Sequence, residues 1–322
     1  MVSRRKFLSS SVLGGAAFAL SPRLLSQSQL NYGAIHEPLL QPARGERLIT
    51  ILHTNDVHSQ IDPLPANDQY AGKGGVARRA TLVKRIRREN PNTLLVDAGD
   101  AFQGTPYFNF YRGEVEYKAM SAIGYDVVTL GNHDFDNGVE ALAQAMRFAN
   151  FEFVLSNYDY HGTAIEPRVK RYAVREVGGV RIGLFGMCIN LNGLNAPNTF
   201  KGLTYLDPVQ TSREMIDTLR VRERCALVVA MSHLGYYENP KHGEVGDSQV
   251  AAQVDGIDFI ASGHTHTFMK KPVVVKQPSG GETLIFQVGK SGIYLGRVDF
   301  LMRGNQIASV TGRLLDLRDG SI

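Results

Sequence analysis

Short runs of apolar, β-branched residues recur along this chain, and each is followed closely by a knot of histidine, aspartate, asparagine or glycine. The runs are Leu48 to Leu52, Thr93 to Val96, Asp126 to Leu130, Ala226 to Ala230 and Ile257 to Ile260. Polar residues hardly interrupt them, which is the pattern of strands covered on both faces. Between them the spacing becomes helical. Val76, Ala80, Val83 and Ile86 form one stripe with Arg78, Arg79, Lys84 and Arg87 outside it. A second helix is predicted from Val139 to Phe148, and a third through Met215, Ile216 and Leu219. Val177-Gly178-Gly179-Val180 predicts a hairpin turn between Tyr172–Val174 and Val180–Phe185. From Pro272 onward, glycine-rich turns predict a meander of strands. No internal repeat divides the chain, and Pro63, Pro65 and Gly72 mark a surface loop. Such alternation predicts one layered α/β domain, here over residues 46–322.

The polar knots are His53-Thr54-Asn55-Asp56-Val57-His58, Asp97-Ala98-Gly99-Asp100, Gly131-Asn132-His133-Asp134-Phe135-Asp136, Ser232-His233 and Gly263-His264-Thr265-His266. Ligands of open α/β sheets bind beyond the carboxyl ends of strands, so residues far apart in the chain can meet there. Six of the nine histidines lie in these knots, which points to a shared role. Asp56-x-His58 and His264-x-His266 are expected to project paired donors from one side of an extended backbone. Imidazoles, carboxylates and one amide, without thiolate, suit manganese, zinc or iron and argue against a structural zinc site.

Taken in order, D-x-H, G-D-x-x-Q-G-T, G-N-H-D-F-D, S-H and G-H-T-H resemble the calcineurin-like metallophosphoesterases. More narrowly, they resemble the catalytic domain of bacterial 5′-nucleotidases and UDP-sugar hydrolases. The likeness runs from about Leu48 to the C-terminus and takes in Gly74-Gly75-Val76-Ala77-Arg78 and Asp255-Gly256-Ile257-Asp258. It implies a four-layer α/β/β/α sandwich with two divalent metal ions, manganese or zinc. Asp56, His58 and His266 are implied ligands of the first ion, Asn132, His233 and His264 of the second, and Asp100 bridges them. His133 is implied as a catalytic group, not a ligand, oriented by Asp136. The implied reaction is hydrolysis of a phosphate ester, with 5′-nucleotides as the expected substrates, by in-line attack of a metal-bound hydroxide. Another phosphoester, a sulfur-linked substrate, or a weakly catalytic metal-binding subunit are the alternatives.

Neighbouring residues are expected to have plainer roles. His53 should be packed behind the site, and Asp97 should orient other groups. Asp134 should face away from the metals at a helix start, and Gln103 and Thr105 should shape a loop. Arg85, Arg87 and Arg88 should form a solvated helix face. Cys188 and Cys225 should stay reduced, because in parallel strands they would lie at opposite sheet edges, beyond bridging distance. No C-terminal nucleotide-binding domain is expected in this sequence, which has no tryptophan. The site would then either stay open to water or be completed by a separate second-domain protein.

Arg4, Arg5, Lys6 and Arg23 are the only charged residues of the first 28, so the remaining 294 residues carry 31 basic against 31 acidic groups. A near-neutral body gives no electrostatic case for a nucleic-acid polymer as partner. The start, Ser3-Arg4-Arg5-Lys6-Phe7-Leu8 before a mild apolar stretch, resembles a twin-arginine export signal, with residues 29–45 as an extension. It implies periplasmic or otherwise exported protein without stable membrane insertion. Replacing Arg4 and Arg5 together by lysine is expected to retain folded protein in the cytoplasm. Fractionation showing unchanged export would remove this reading.

Overall fold

Parallel pairing is what brings the knots together. The computed structural model describes residues 40–237 and 245–318, so the expected export signal lies outside the described residues. Among these residues the strands are, in chain order, β1 Glu46–Thr54, β2 Thr93–Asp97, β3 Val127–Val128, β4 Glu152–Val154, β5 Tyr158–Asp159, β6 Val169–Lys170, β7 Tyr172–Val177 and β8 Val180–Cys188. They continue with β9 Thr204–Tyr205, β10 Leu227–His233, β11 Phe259–Ser262, β12 Val273–Lys276, β13 Glu282–Phe286, β14 Tyr294–Arg303 and β15 Gln306–Asp316. The α-helices are α1 Val76–Glu89, α2 Pro106–Tyr111, α3 Glu114–Ile123, α4 Val139–Ala145, α5 Pro208–Ile216 and α6 Asp247–Gln253.

One sheet has the order β15-β14-β1-β2-β3-β4-β6, the other β12-β13-β11-β10-β8-β7, and β5 pairs with β9. β1, β2 and β3 are parallel in the first sheet, as are β8, β10 and β11 in the second. Each sheet therefore delivers its carboxyl ends to one edge. Period-2 alternation divides β1 between two cores. Ile49 and Ile51 join the core between the sheets, with Leu184, Val229 and Phe286. Leu52 faces the other way, onto Leu82, Val83 and Ile86 of α1. α1, α3 and α4 cover the first sheet, and α5 and α6 the second, giving the α/β/β/α sandwich. Gly186 lets the sheets approach closely, since a Cβ there would run into the Val154 carbonyl and the Thr129 hydroxyl.

Several sequence expectations change in detail. The final strands are not one meander. β12 and β13 belong to the second sheet and β14 and β15 to the first, because β14 pairs along nearly the whole of β1. The expected strand at Asp126 to Leu130 is only two residues long, since the chain turns early into the Gly131 loop. The third helix ends as a wider π turn over Asp217–Arg222. Arg87 is not simply solvated: it pairs with Asp126 at 2.8 Å and donates to the Gly124 carbonyl. Cys188 and Cys225 are free and buried, at opposite ends of the parallel β8–β10 pair.

His53 is wholly buried between the sheets, edge-on to Phe259 and Phe286, with neither ring nitrogen hydrogen-bonded. Burial pulls its pKa down to about 3. The folded state therefore keeps His53 neutral while the unfolded chain takes up a proton below about pH 6.5. Its contribution is intact above that pH and is lost at about 1.4 kcal/mol per unit as pH falls towards 3. Urea unfolding of chelator-treated protein should show His53→Leu gaining about 2 kcal/mol relative to wild type between pH 7 and pH 5. A difference that does not change with pH would mean the folded protein protonates His53.

Candidate metal centre

The carboxyl ends of the two sheets are stitched together by the site residues themselves. The buried carboxylate of Asp56, just past β1, accepts the His264 backbone N–H at 3.1 and 3.0 Å from beyond β11. His233, the last residue of β10, donates from Nδ1 to the Ala98 carbonyl beyond β2 at 2.7 Å. The Asp56 and His58 N–H groups donate to the carbonyls of Gly99 and Asp100, aligning the first two loops. Gly131 is required by closeness, as a Cβ there would collide with Asp100 and with His233 Cε1.

The backbone at the ligands is not the extended one expected from the sequence. Asp56, His58, Asp100, His264 and His266 have φ of 50°, 51°, 56°, 72° and 52°. These residues follow the strands instead of continuing them, and left-handed turns fold their side chains back over the sheet edge. Such conformations cost non-glycine residues free energy, and they gather where surrounding contacts hold them.

The donors converge. Asp56, His58 and His266 form one group of potential metal ligands, and Asp56, Asp100 and His233 another, each with its atoms within 4.8 Å of one another. His266 Nε2 lies 3.3 Å and His58 Nε2 3.9 Å from Asp56 Oδ1, and the two imidazole nitrogens are 2.9 Å apart. His233 Nε2 is 3.0 Å from Asp100 Oδ2 and 3.9 Å from Asp56 Oδ1. Asn132 Oδ1 and His264 Nδ1 meet at 3.0 Å, with the His264 ring 5.2 Å from that of His233. Asp56 belongs to both groups, but Asp100 also reaches both, its Oδ2 lying 3.9 Å from His58 Nε2.

These residues fit divalent cations. The His233 ring spends its Nδ1 proton on the Ala98 carbonyl, and its buried Nε2 faces Asp100 Oδ2 at 3.0 Å. A carbonyl contact at Nδ1 that turns Nε2 towards a shared centre is the usual arrangement of a metal-binding histidine. The charges point the same way. Burial opposes protonation of His233, yet the carboxylates of Asp100 and Asp56 raise its pKa to about 10. Burial also acts against ionised Asp100, but His233, His58 and His133 outweigh it and hold the carboxyl well below the usual range. This buried cluster calls for positive charge.

Beside it, His133 donates its backbone N–H to Asp100 Oδ1 at 2.8 Å, and its Nδ1 lies 2.9 Å from Asp136 Oδ2. The Asp136 hydrogen bond raises the His133 pKa against partial burial. The ring stays partly open to solvent, unlike that of His233. Polar residues brace the loops around the centre. Asp97 accepts from Thr54 at 2.5 Å and from the Gly99 N–H, and burial pushes it up to about 7. Asp134 sits in a 3₁₀ turn and accepts from the N–H groups of Gly131 and Asp100. Thr105 caps α2 and donates to the Ser59 carbonyl.

Three amides were not singled out by sequence reasoning. Asn55 donates to Asp56 Oδ2 and to the Gly289 carbonyl, both at 2.6 Å. Gln287 donates to Gly263 and Ser262 behind the histidine pair. Asn195 reaches from the loop after β8 to the Asn132 carbonyl and to Asp136. Asn55 stands inside a visible knot, but Gln287 and Asn195 carry no local signal.

Asp100→Ala is expected to cost ion occupancy in both donor groups. Elemental analysis of dialysed protein checks this, and two ions held at wild-type affinity would show that Asp100 serves neither.

Residues 49–268 match the family model of the calcineurin-like phosphoesterases. Human 5′-nucleotidase is 33% identical over 84% of this chain and 50% of its own length. The snake venom 5′-nucleotidase of Gloydius brevicauda is 32% identical over 84% of this chain and 48% of its own. Among solved structures, a 5′-nucleotidase precursor from Thermus thermophilus superposes with a TM-score of 0.77 at 30% identity, covering 85% of this chain and 56% of that one. The chain thus spans about half the length of the curated relatives it matches. Among the described residues no helix is long and apolar enough to cross a membrane.

Proposed function

The chain belongs to the calcineurin-like phosphoesterase family and is related to the 5′-nucleotidases, and from that premise we propose that it is an exported phosphomonoesterase acting on 5′-nucleotides with two divalent ions. The convergence of two donor groups on Asp56, with the partly open His133 alongside, carries this reading. Asp56, His58 and His266 would hold one ion and Asn132, His233 and His264 the other, with Asp100 reaching both. When bound, such a pair supplies a water acidified to near neutral pH as in-line nucleophile and offsets the charge of the phosphoryl oxygens.

The chain's own residues complete the task. Asn132 adds a neutral oxygen donor, which limits negative charge where an anionic ester enters. His133, kept protonated through Nδ1 by Asp136, gives a proton to the leaving oxygen as the P–O bond breaks. A module that completes the nucleoside pocket, in the same protein or in a separate chain, is part of the proposal. Its support is the greater length of the matched relatives.

Purified protein supplied with manganese should hydrolyse p-nitrophenyl phosphate, lose that activity to a chelator, and prefer 5′- to 3′-nucleotides. No turnover at any metal loading would overturn the enzymatic reading, and equal rates on the two isomers would overturn the substrate class. His133→Ala is expected to retain both ions while lowering kcat on nucleotides by roughly 10²–10⁴. Loss of an ion from that variant would make His133 a ligand.

A further inference from the structure

The His133–Asp136 pair does not stand alone. Asn195 donates from Nδ2 to the Asn132 carbonyl at 2.9 Å and to Asp136 Oδ1 at 3.3 Å. Asp136 Oδ2 is the oxygen that holds His133. Both atoms facing the Asn195 amide are acceptors, so only its NH₂ fits there. Its Oδ1 points the other way and is buried without a hydrogen-bond partner. A loop side chain left with an unpaired buried oxygen is costly, so the contacts made by its other end must hold it in place.

The loop is shaped to present this side chain. Asn157 clamps Cys188 at the end of β8, accepting its N–H at 2.9 Å and donating to its carbonyl at 2.8 Å. The Tyr158 hydroxyl donates to the Ile189 carbonyl and accepts the Leu191 N–H. Leu194 and Asn195 both donate backbone N–H groups to the Leu191 carbonyl. Asn195 thus comes to Asp136 from the second sheet, whereas His133 and Asp136 follow β3 of the first.

We infer that Asn195 is a positioning residue for the leaving-group step, the outermost member of an Asn195–Asp136–His133 chain. Its amide fixes the Asp136 carboxylate on one oxygen, so that the other meets His133 Nδ1 in one orientation and the imidazole edge is aimed at the leaving oxygen. Its second bond, to the Asn132 carbonyl, ties that aim to the residue whose side chain faces His264. Being neutral, the amide does this without placing another charge beside the metal donors. A carboxylate in its place would repel Asp136, and a lysine would compete with His133 for it.

The inference rests on the proposed role of His133 as acid, and the test separates the two. Rates are compared on p-nitrophenyl phosphate, whose leaving group needs little protonation, and on glycerol phosphate, whose alkoxide needs it. Full-length manganese-loaded protein is used throughout. Asn195→Ala should keep both ions and its KM, lower kcat on glycerol phosphate about tenfold, and leave p-nitrophenyl phosphate within about twofold. In the Asp136→Ala background the same substitution should have no further effect, because the two residues act as one unit. In metal-free protein the His133 Nδ1 proton, identified by its loss in His133→Ala, should give a downfield NMR resonance that moves upfield or broadens in Asn195→Ala. If His133→Ala slows both esters equally, its role as acid fails. If His133→Ala discriminates between the esters but Asn195→Ala does not, or if the resonance is unchanged, the positioning role of Asn195 is overturned.

Discussion

Asp56 and Asp100 place two carboxylates in a water-poor space, both within 3.9 Å of His58 Nε2 and of His233 Nε2. Like charges in such surroundings repel strongly and have lost the water that would screen them. Neutralising them by protonation would remove the donors that a cation needs. The cluster draws positive charge, and its carboxylates raise the pKa of His233 against its burial. Much of the local architecture follows. The ligand loops adopt left-handed turns because donors from both sheets must face one small volume. Glycine stands at 131 because a side chain there would fill that volume.

The contacts that join the two sheets at this edge are therefore made by the residues of the centre itself. The contacts from Asp56 to the His264 N–H and from His233 to the Ala98 carbonyl run between the sheets. Misalignment of the sheets would separate the ligands, and unmet charge at the ligands would push the sheet edges apart. Support around the centre comes from neutral amides of Asn55, Gln287 and Asn195, which orient carboxylates and carbonyls without adding charge. The chemistry is partitioned in the same way. The fully buried His233 turns Nε2 towards the carboxylates, while the partly exposed His133 has the Asp136 carboxylate at Nδ1, which raises its pKa.

Much of this was legible in the sequence, and the reasons differ between residues. Buried parallel strands leave near-continuous apolar runs, so β1, β2, β10 and β11 could be located closely. His53 could be assigned to the packing because it ends such a run. The division of the last four strands between two sheets could not be read. β13 and β14 both look like buried strands, and only the long pairing of β14 with β1 assigns it. The geometry of the paired-donor motifs is hidden from the sequence for a related reason. Residue spacing does not reveal where a strand stops, and these motifs begin beyond the strand ends, where the backbone turns left-handed.

The linear chain specifies an inventory: apolar runs that must be covered on both faces, and histidines and aspartates placed directly after them. Strand periodicity and donor chemistry are local properties, so both survive in the order of the residues. Which groups share a centre, and what holds them there, is settled only when the sheets pack. Asp56 and Asp100 both reach the two donor groups, and Asn195 and Gln287 become partners of residues 59 and 24 positions away. Those relations depend on the approach of one sheet edge to another. That approach is set by packing summed over the whole interior, and no short stretch of sequence encodes it.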